Sequence, residues 1–397
     1  MKRVWPFLIM GACLSSCYVF KAYKYRNFEL KDVEKLGAVP LQASTQPFVF
    51  AYDTLNHTSL QQYLDSNLTR SHTYAFLVIR NDTILYERYF GAITESTKLP
   101  SFSVAKSVVS TLVGIALQEG LIQSLHDPIT RYLPYLRERD NDFDLVTIQH
   151  VLDMRSGVRS SENYFNPFSN VLQMGFASNV SKPASKVKLG QMPGQFEYKS
   201  VNTQLLAMIL EKVTGKKLQD YVVEKLWAPL GMEHAATWNS DKEQTVRAFC
   251  CINAAARDYA KFGRLFLKKG AWQGRQVVPE DWVFRSVNAD TMSRYGGYRN
   301  QWWSDSRKEY FKDSLAAVAF ANQHTSAEMK TYRMKNSNQT GYRVDYHTGE
   351  FHAEGILGQY VYVNPAKNLV IVRLGHNWSH PKMYAQRFIY NLGQALR

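Results

Sequence analysis

Apolar positions follow two different spacings along this chain, and the change from one to the other divides it into parts. At two places they alternate with polar positions or run as short aromatic and β-branched stretches. Tyr74 to Ile79 and Ile84 to Phe90 flank the turn residues Arg80-Asn81-Asp82-Thr83, and Gln359 to Val363 and Leu369 to Leu374 flank Asn364-Pro365. Both read as paired strands. Between them the spacing becomes helical. The run from Val104 is apolar nearly all round and stops at Gly120, as a helix buried in a core would. Val201 to Thr214, Leu218 to Leu230 and Ala254 to Lys269 repeat the helical spacing and are closed by Gly215, Gly231 and Gly270, while Thr147 is placed to cap a further helix. Lys382 to Leu396 reads as a final amphipathic helix. Strands near both ends and helices between them predict an α+β fold. It comprises an antiparallel sheet flanked by N- and C-terminal helices, plus a helical domain, with a cleft between the two that would hold the active site.

Composition sharpens this without changing it. With 397 residues, 45% hydrophobic and 13% aromatic, the chain can bury a large core. No linker-like stretch or internal repeat divides it, so residues 61–397 are expected to form one catalytic domain behind an extension over 21–60. Residues 1–20 stand apart. Met-Lys-Arg, a mostly apolar stretch from Val4 to Leu14 and the ending Leu14-Ser15-Ser16-Cys17 make a secretory signal whose end resembles a bacterial lipoprotein cleavage box, with Cys17 as the lipidated first residue. The competing reading is an uncleaved anchor from Val4 to Phe20, at about the lower limit for spanning a bilayer. Either one predicts an extracytoplasmic domain tethered to a membrane. The net charge of +14 is spread out, without a dense basic block or nucleic-acid motif, so no nucleic-acid partner is expected. Cys13 and Cys17 belong to the N-terminal segment, and Cys250 and Cys251 are adjacent. Adjacent cysteines rarely pair, and no metal-ligand spacing exists; the expectation is no disulfide framework, no zinc site and no cofactor.

The chemistry is carried by a serine. A serine hydroxyl is a poor nucleophile until a base takes its proton, and a lysine three residues on shares its helix face at about 5–6 Å between Cβ atoms. Ser-x-x-Lys occurs at Ser103, Ser185 and Ser379. The second lies in a polar Ser/Lys/Pro stretch, and in the third Pro381 pushes His380 away from helical geometry. Only Ser103-Val104-Ala105-Lys106 opens a buried helix, whose N-terminus favours developing negative charge. The structural alternative makes Ser103 an N-cap and Lys106 a surface residue.

The order of motifs resembles the serine β-lactamase and penicillin-binding-protein superfamily, in particular its class C and esterase-like branch, over roughly residues 70 to 397. Phe102-Ser103-Val104-Ala105-Lys106-Ser107 is similar to the nucleophile motif, which implies Ser103 as the acylated residue and Lys106 as its proton acceptor. Pro193-Gly194-Gln195-Phe196-Glu197-Tyr198-Lys199-Ser200-Val201-Asn202 resembles the approach to the Tyr-x-Asn motif. The resemblance implies proton transfer by Tyr198, its pKa depressed by Lys106, with Ser200 in place of the asparagine. The third motif, Lys-Thr-Gly or His-Thr-Gly, has a match in His347-Thr348-Gly349, but that stretch has hairpin-turn composition. Phe351 to Gln359 looks more like the active-site strand and puts Ala353-Glu354-Gly355 in the motif positions. The Ile356 N–H would then join that of Ser103 as an oxyanion hole, worth about 3–4 kcal/mol in comparable sites. Ser200, His352, Glu354 and Gly355 would face substrate. The stretches Cys250 to Arg264 and Tyr298 to Trp303 resemble the same branch and would stabilise the fold or line the cleft, with Asn253 as a helix cap and Asp258 as an ion-pair partner.

The departures shape the expected function. Without the asparagine or the cationic triplet, the groups that grip a β-lactam or peptide carboxylate are missing, so strong β-lactamase activity is not expected. What remains is an acyl-enzyme hydrolase for a small ester, amide or peptide, as in the esterases and amino-hexanoate oligomer hydrolases of the superfamily. Two alternatives stand beside it: a D-Ala-D-Ala carboxypeptidase acting on the wall, and a non-catalytic binding protein that kept the fold.

Overall fold

The computed structural model describes residues 18–24, 32, 35–54, 58–288, 292–293, 296–324, 327–334, 339–378 and 384–396. The signal or anchor segment, with Cys17, and the third Ser-x-x-Lys site at Ser379 lie outside these residues. Among the described residues, no helix is long and apolar enough to cross a membrane.

A ten-stranded sheet organises the chain. Its strands in chain order are β1 (Ala51–Tyr52), β2 (Thr73–Arg80), β3 (Thr83–Tyr89), β4 (Met292–Ser293), β5 (Gly296–Arg299), β6 (Trp302–Phe311), β7 (Glu328–Arg333), β8 (Thr340–Gly355), β9 (Gln359–Asn364) and β10 (Leu369–Gly375). Across the sheet they run β4-β5-β6-β8-β9-β10-β2-β3-β1, with β7 paired to β8. Every pairing is antiparallel except β1 with β3. The two hairpins legible in the sequence meet at the centre, where Val372 of β10 faces Leu77 of β2.

Helices cover both faces. The first face packs with α2 (Val104–Gln118), α3 (Ser200–Thr214) and α4 (Ala256–Leu267) in a large apolar core that holds Leu77, Val361, Val363 and Val372. The opposite face packs Phe76, Val78, Tyr360, Tyr362 and Ile371 against α1 (Thr58–Leu68) and α5 (Ala385–Ala395). Alternate strand residues therefore serve separate cores, as the pleat requires, and strands buried on both faces read as nearly continuous apolar runs. A small second sheet, ordered Ala38–Leu41, Ala236–Asn239, Ile252–Ala254, Leu99–Pro100, leads the chain into α2. Short helices between residues 148 and 222 make up the helical part.

The expected boundaries of α2 and α3 agree with the structure to within one or two residues, and Gly215 ends α3 at a φ of 67°. Thr147 caps its helix through a reciprocal pair of bonds with His150. Two expectations are corrected. His347-Thr348-Gly349 is not a turn: it lies inside the sixteen-residue β8, where the pairing with β6 shifts register opposite Ser304 and Ser306. Asn253 caps no helix, because α4 begins after Ala255; its amide instead donates to Thr237 Oγ1 in the second sheet.

Candidate active site

Ser103 is the residue before α2 and is 9% exposed. Its side chain makes no capping bond to the helix, so the hydroxyl is free for another partner. That partner is Lys106, whose Nζ donates to Ser103 Oγ at 2.9 Å. Lys106 is 1% exposed and its Nζ also donates to the Phe249 carbonyl at 2.8 Å. The surface-lysine alternative is thereby corrected: this amine is inside the protein. Burial lowers its pKa to about 7, with Glu162 as the one opposing influence. Removing an ammonium from water disfavours its charge, and neither of its partners is an anion.

Tyr198 enters from the loop ahead of α3. Lys106 Nζ stands 5.0 Å from its ring centre, and Ser103 is among the side chains that act on its hydroxyl. The expected depression of its pKa is not what the structure produces. Burial pushes it well above its ordinary value, with Tyr164, Glu162 and Glu354 adding in the same direction and the Ser103 bond opposing. An uncharged amine does not stabilise a phenolate, so Tyr198 stays a neutral hydroxyl. Its ring stacks on Trp303 at 6.1 Å and meets Tyr298 edge-on, so two residues of the stretch Tyr298 to Trp303 pack against Tyr198. Trp302 turns the other way, into the core against Phe262 and Phe266.

Gly355 brings β8 against the nucleophile. A Cβ at this position would sit 2.3 Å from the Ser101 carbonyl and 3.1 Å from the Ser103 nitrogen, so only glycine permits the approach. Gly355 therefore packs closely against the Ser101–Ser103 segment. Ile356 follows at the start of a short 3-10 turn, 44% exposed, and first-turn amides have no acceptor within their own helix. The close approach at Gly355 brings the start of this turn beside the Ser103 segment.

The remaining expected contacts are placed differently. Ser200 is fully buried, and its N–H and hydroxyl both donate to the Glu162 carboxylate, at 2.6 and 3.0 Å. It faces Glu162, not the cleft. His352 is 2% exposed, with Nδ1 at 3.3 Å from Asp305 and Nε2 at 3.6 Å from Glu354. Burial works against its charge, yet the two carboxylates push its pKa up to about 10. It is enclosed between the Asp305 and Glu354 carboxylates. Glu354 keeps 38% of its side chain exposed while accepting from the Tyr360 hydroxyl at 2.7 Å. Among the described residues no group of His, Cys, Asp or Glu is arranged to hold a metal ion.

Sequence reading missed three contributors, Glu162, Asp305 and the Phe249 carbonyl. It also misjudged a fourth feature, for Cys250 and Cys251 are joined by a disulfide. Asp258 does what was expected of it, pairing with Lys261 at 3.2 Å and accepting from the Glu233 and His234 amides.

Comparison with known proteins agrees with this geometry. The β-lactamase family model matches residues 60–395. A 6-aminohexanoate-dimer hydrolase of Paenarthrobacter ureafaciens is 30% identical over 262 residues, 60% of this chain; the match spans 66% of that relative's length, just under two thirds. A solved structure assigned as a 6-aminohexanoate-dimer hydrolase from Bacillus anthracis superposes with a TM-score of 0.66 at 22% identity, over 95% of this chain and 96% of that one. A class C β-lactamase superposes with a TM-score of 0.58 at 17% identity, over 87% and 99%. The match of the family model over most of the chain makes this protein a member of the β-lactamase family.

Proposed function

We propose that the protein is a serine hydrolase that cleaves an ester or amide bond through an acyl-enzyme on Ser103. The observation that carries this is the Ser103–Lys106 contact at 2.9 Å with a lysine whose pKa is lowered to about 7. Near neutral pH such an amine is partly uncharged, and its lone pair can take the serine proton as Oγ attacks the carbonyl carbon. The carbonyl oxygen gains negative charge, which in this reading the Ser103 and Ile356 amides receive. Tyr198, neutral and beside Ser103, passes the proton to the leaving group. A water molecule then attacks the acyl carbon, again deprotonated by the lysine–tyrosine pair, and frees Ser103.

The substrate reading is a small ester or short amide. The site resembles that of enzymes that hold a substrate carboxylate with a cationic residue, but Ala353 stands at that position and Glu354 beside it would repel an anion. This counts against strong β-lactamase action and against a carboxypeptidase. The intact nucleophile and base count against a binding protein without activity. The amide-cleaving relative named above supports the amide half of the reading.

The proposed location is extracytoplasmic, with a membrane tether through the segment ending at Cys17. The apolar run from Val4 to Leu14 supports it, as does the Cys250–Cys251 disulfide, because disulfides persist chiefly in oxidising compartments. Hydrolysis of a short p-nitrophenyl ester tests the enzymatic reading. Ser103→Ala is expected to lose it, and a variant as fast as the parent would refute the assignment.

A further inference from the structure

The segment Phe249 to Ile252 touches both halves of the acylation machinery. The Phe249 carbonyl accepts from Lys106 Nζ at 2.8 Å. Two residues on, the Cys251 N–H donates to the Phe102 carbonyl at 3.3 Å, immediately before the nucleophile. The Ile252 N–H donates to Ser101 Oγ at 3.0 Å, and its carbonyl accepts from the Ser101 N–H at 2.7 Å. On the other side, the Cys250 carbonyl accepts from Trp238 Nε1 at 2.9 Å and that of Cys251 from the Asn239 N–H at 3.0 Å. The cysteines therefore lie between the group that holds the base and the group that holds the nucleophile strand.

Their disulfide closes a small covalent ring across one peptide bond. Cys251 sits at a φ of 70°, and Phe102 opposite it at 44°. Residues other than glycine seldom adopt this left-handed region, and such conformations persist only where the surroundings impose them. The ring is one such constraint on Cys251. Cys250 is only partly buried, within reach of a small thiol.

We propose that Cys250–Cys251 is a redox-modification site whose reduction by a small dithiol frees the backbone holding Lys106 and Ser103 and so lowers acylation. The inference rests on the reading of Ser103 as nucleophile and Lys106 as base. In the reaction a thiolate of the dithiol attacks one cysteine sulfur and breaks the Cys250–Cys251 bond. The second dithiol sulfur then displaces the mixed disulfide. Two electrons and two protons pass to the cysteines, and the dithiol leaves as its own disulfide. Without the ring, Cys251 can relax from its left-handed conformation. The Phe249 carbonyl then no longer fixes the amine, and the Phe102 carbonyl loses its donor.

The test uses the full chain with dithiothreitol as the dithiol and a fluorophosphonate probe to read the serine. Peptide mapping of the air-purified protein is expected to show Cys250 and Cys251 bonded to each other. Labelling of Ser103 is expected to slow on the order of 10- to 100-fold on reduction, the size of effect a small misplacement produces, and to recover on reoxidation. The melting temperature is followed in parallel, so that slowing of a still-folded protein is distinguished from unfolding. A Cys250→Ser/Cys251→Ser variant is expected to label slowly and to ignore dithiothreitol. Free thiols at both positions in the air-purified protein would overturn the inference, as would labelling equally fast before and after reduction. If the oxidised protein does not label at Ser103, the serine reading itself fails. The reduction and reoxidation of the parent protein decides the matter even where the double variant does not fold.

Discussion

Lys106 and Lys261 begin from the same local pattern and end in opposite roles. Each lies on a helix of the first core, three residues after an oxygen-bearing side chain: Ser103, which immediately precedes α2, and Asp258 on α4. Both are almost wholly buried. Lys261 is held by two carboxylates, Glu233 at 2.9 Å and Asp258 at 3.2 Å, and by the Gly231 carbonyl at 2.8 Å. Lys106 has a hydroxyl and a carbonyl and, among the described residues, no anion in contact. An amine buried against carboxylates serves as a structural tie. One buried with neutral oxygens is pushed toward its uncharged form and becomes a base. The difference lies in the company each lysine keeps, not in depth.

Replacing each lysine by methionine should separate the two roles, and Lys106→Met carries the larger effect. It should lower kcat/KM by roughly 10²–10⁴-fold, the usual worth of a positioned base. The fold should survive, because no carboxylate loses its partner. Stability should also respond to pH in a defined direction. With its folded pKa near 7 and an ordinary value of about 10.4, Lys106 binds fewer protons in the folded than in the unfolded chain across that window. Wild-type stability should therefore rise relative to Lys106→Met as pH increases from about 7 toward 10, in thermal melts of both proteins. A fall would break the comparison.

Lys261→Met should do the reverse. It leaves Glu233 and Asp258 buried without their amine, a cost of about 3–5 kcal/mol, while the specific activity of the folded fraction stays close to the parent. Chemical denaturation and active-site titration of the same sample measure the two quantities. Gly355→Ala tests the oxyanion side of the site. Its Cβ would push β8 away from the Ser101 carbonyl, and kcat should fall on the order of 100-fold. The smallest effect is reserved for Glu162→Gln. Glu162 opposes the lowering of the Lys106 pKa, so its neutralisation should move the acid limb of the pH–rate profile to lower pH. A shift to higher pH would contradict the electrostatic assignment.

Period-two and helical spacing were enough to locate both central hairpins and helices α2, α3 and α4, because local patterning is where a buried face leaves its mark. The Ser103–Lys106 pair was legible for the same reason, since in the sequence only that Ser-x-x-Lys heads an apolar helical run. What could not be read is long-range. Phe249 lies 143 residues from the lysine it holds, and it contributes a carbonyl, which every residue has. Glu162 caps Ser200 across 38 residues with no local signature. His352 looked like a substrate contact because its neighbours in sequence flank the site; Asp305, on a different strand, is what closes it in. The direction of the Tyr198 shift is set by the tyrosine's own burial, with Tyr164, Glu162 and Glu354 adding to it, and none of these is legible from its local sequence. The cysteine pair went unread because adjacency argues against pairing in general, while here a left-handed Cys251 accompanies it.

The central claim is that a partly uncharged Lys106 activates Ser103. The most direct measurement is the rate of fluorophosphonate labelling as a function of pH, read by intact-protein mass with the adduct mapped to its residue. The account predicts one adduct on Ser103, forming at a rate that rises with pH through a midpoint near 7, and no adduct with Ser103→Ala. An adduct elsewhere, or a Ser103 rate that stays flat until pH 10, would contradict it.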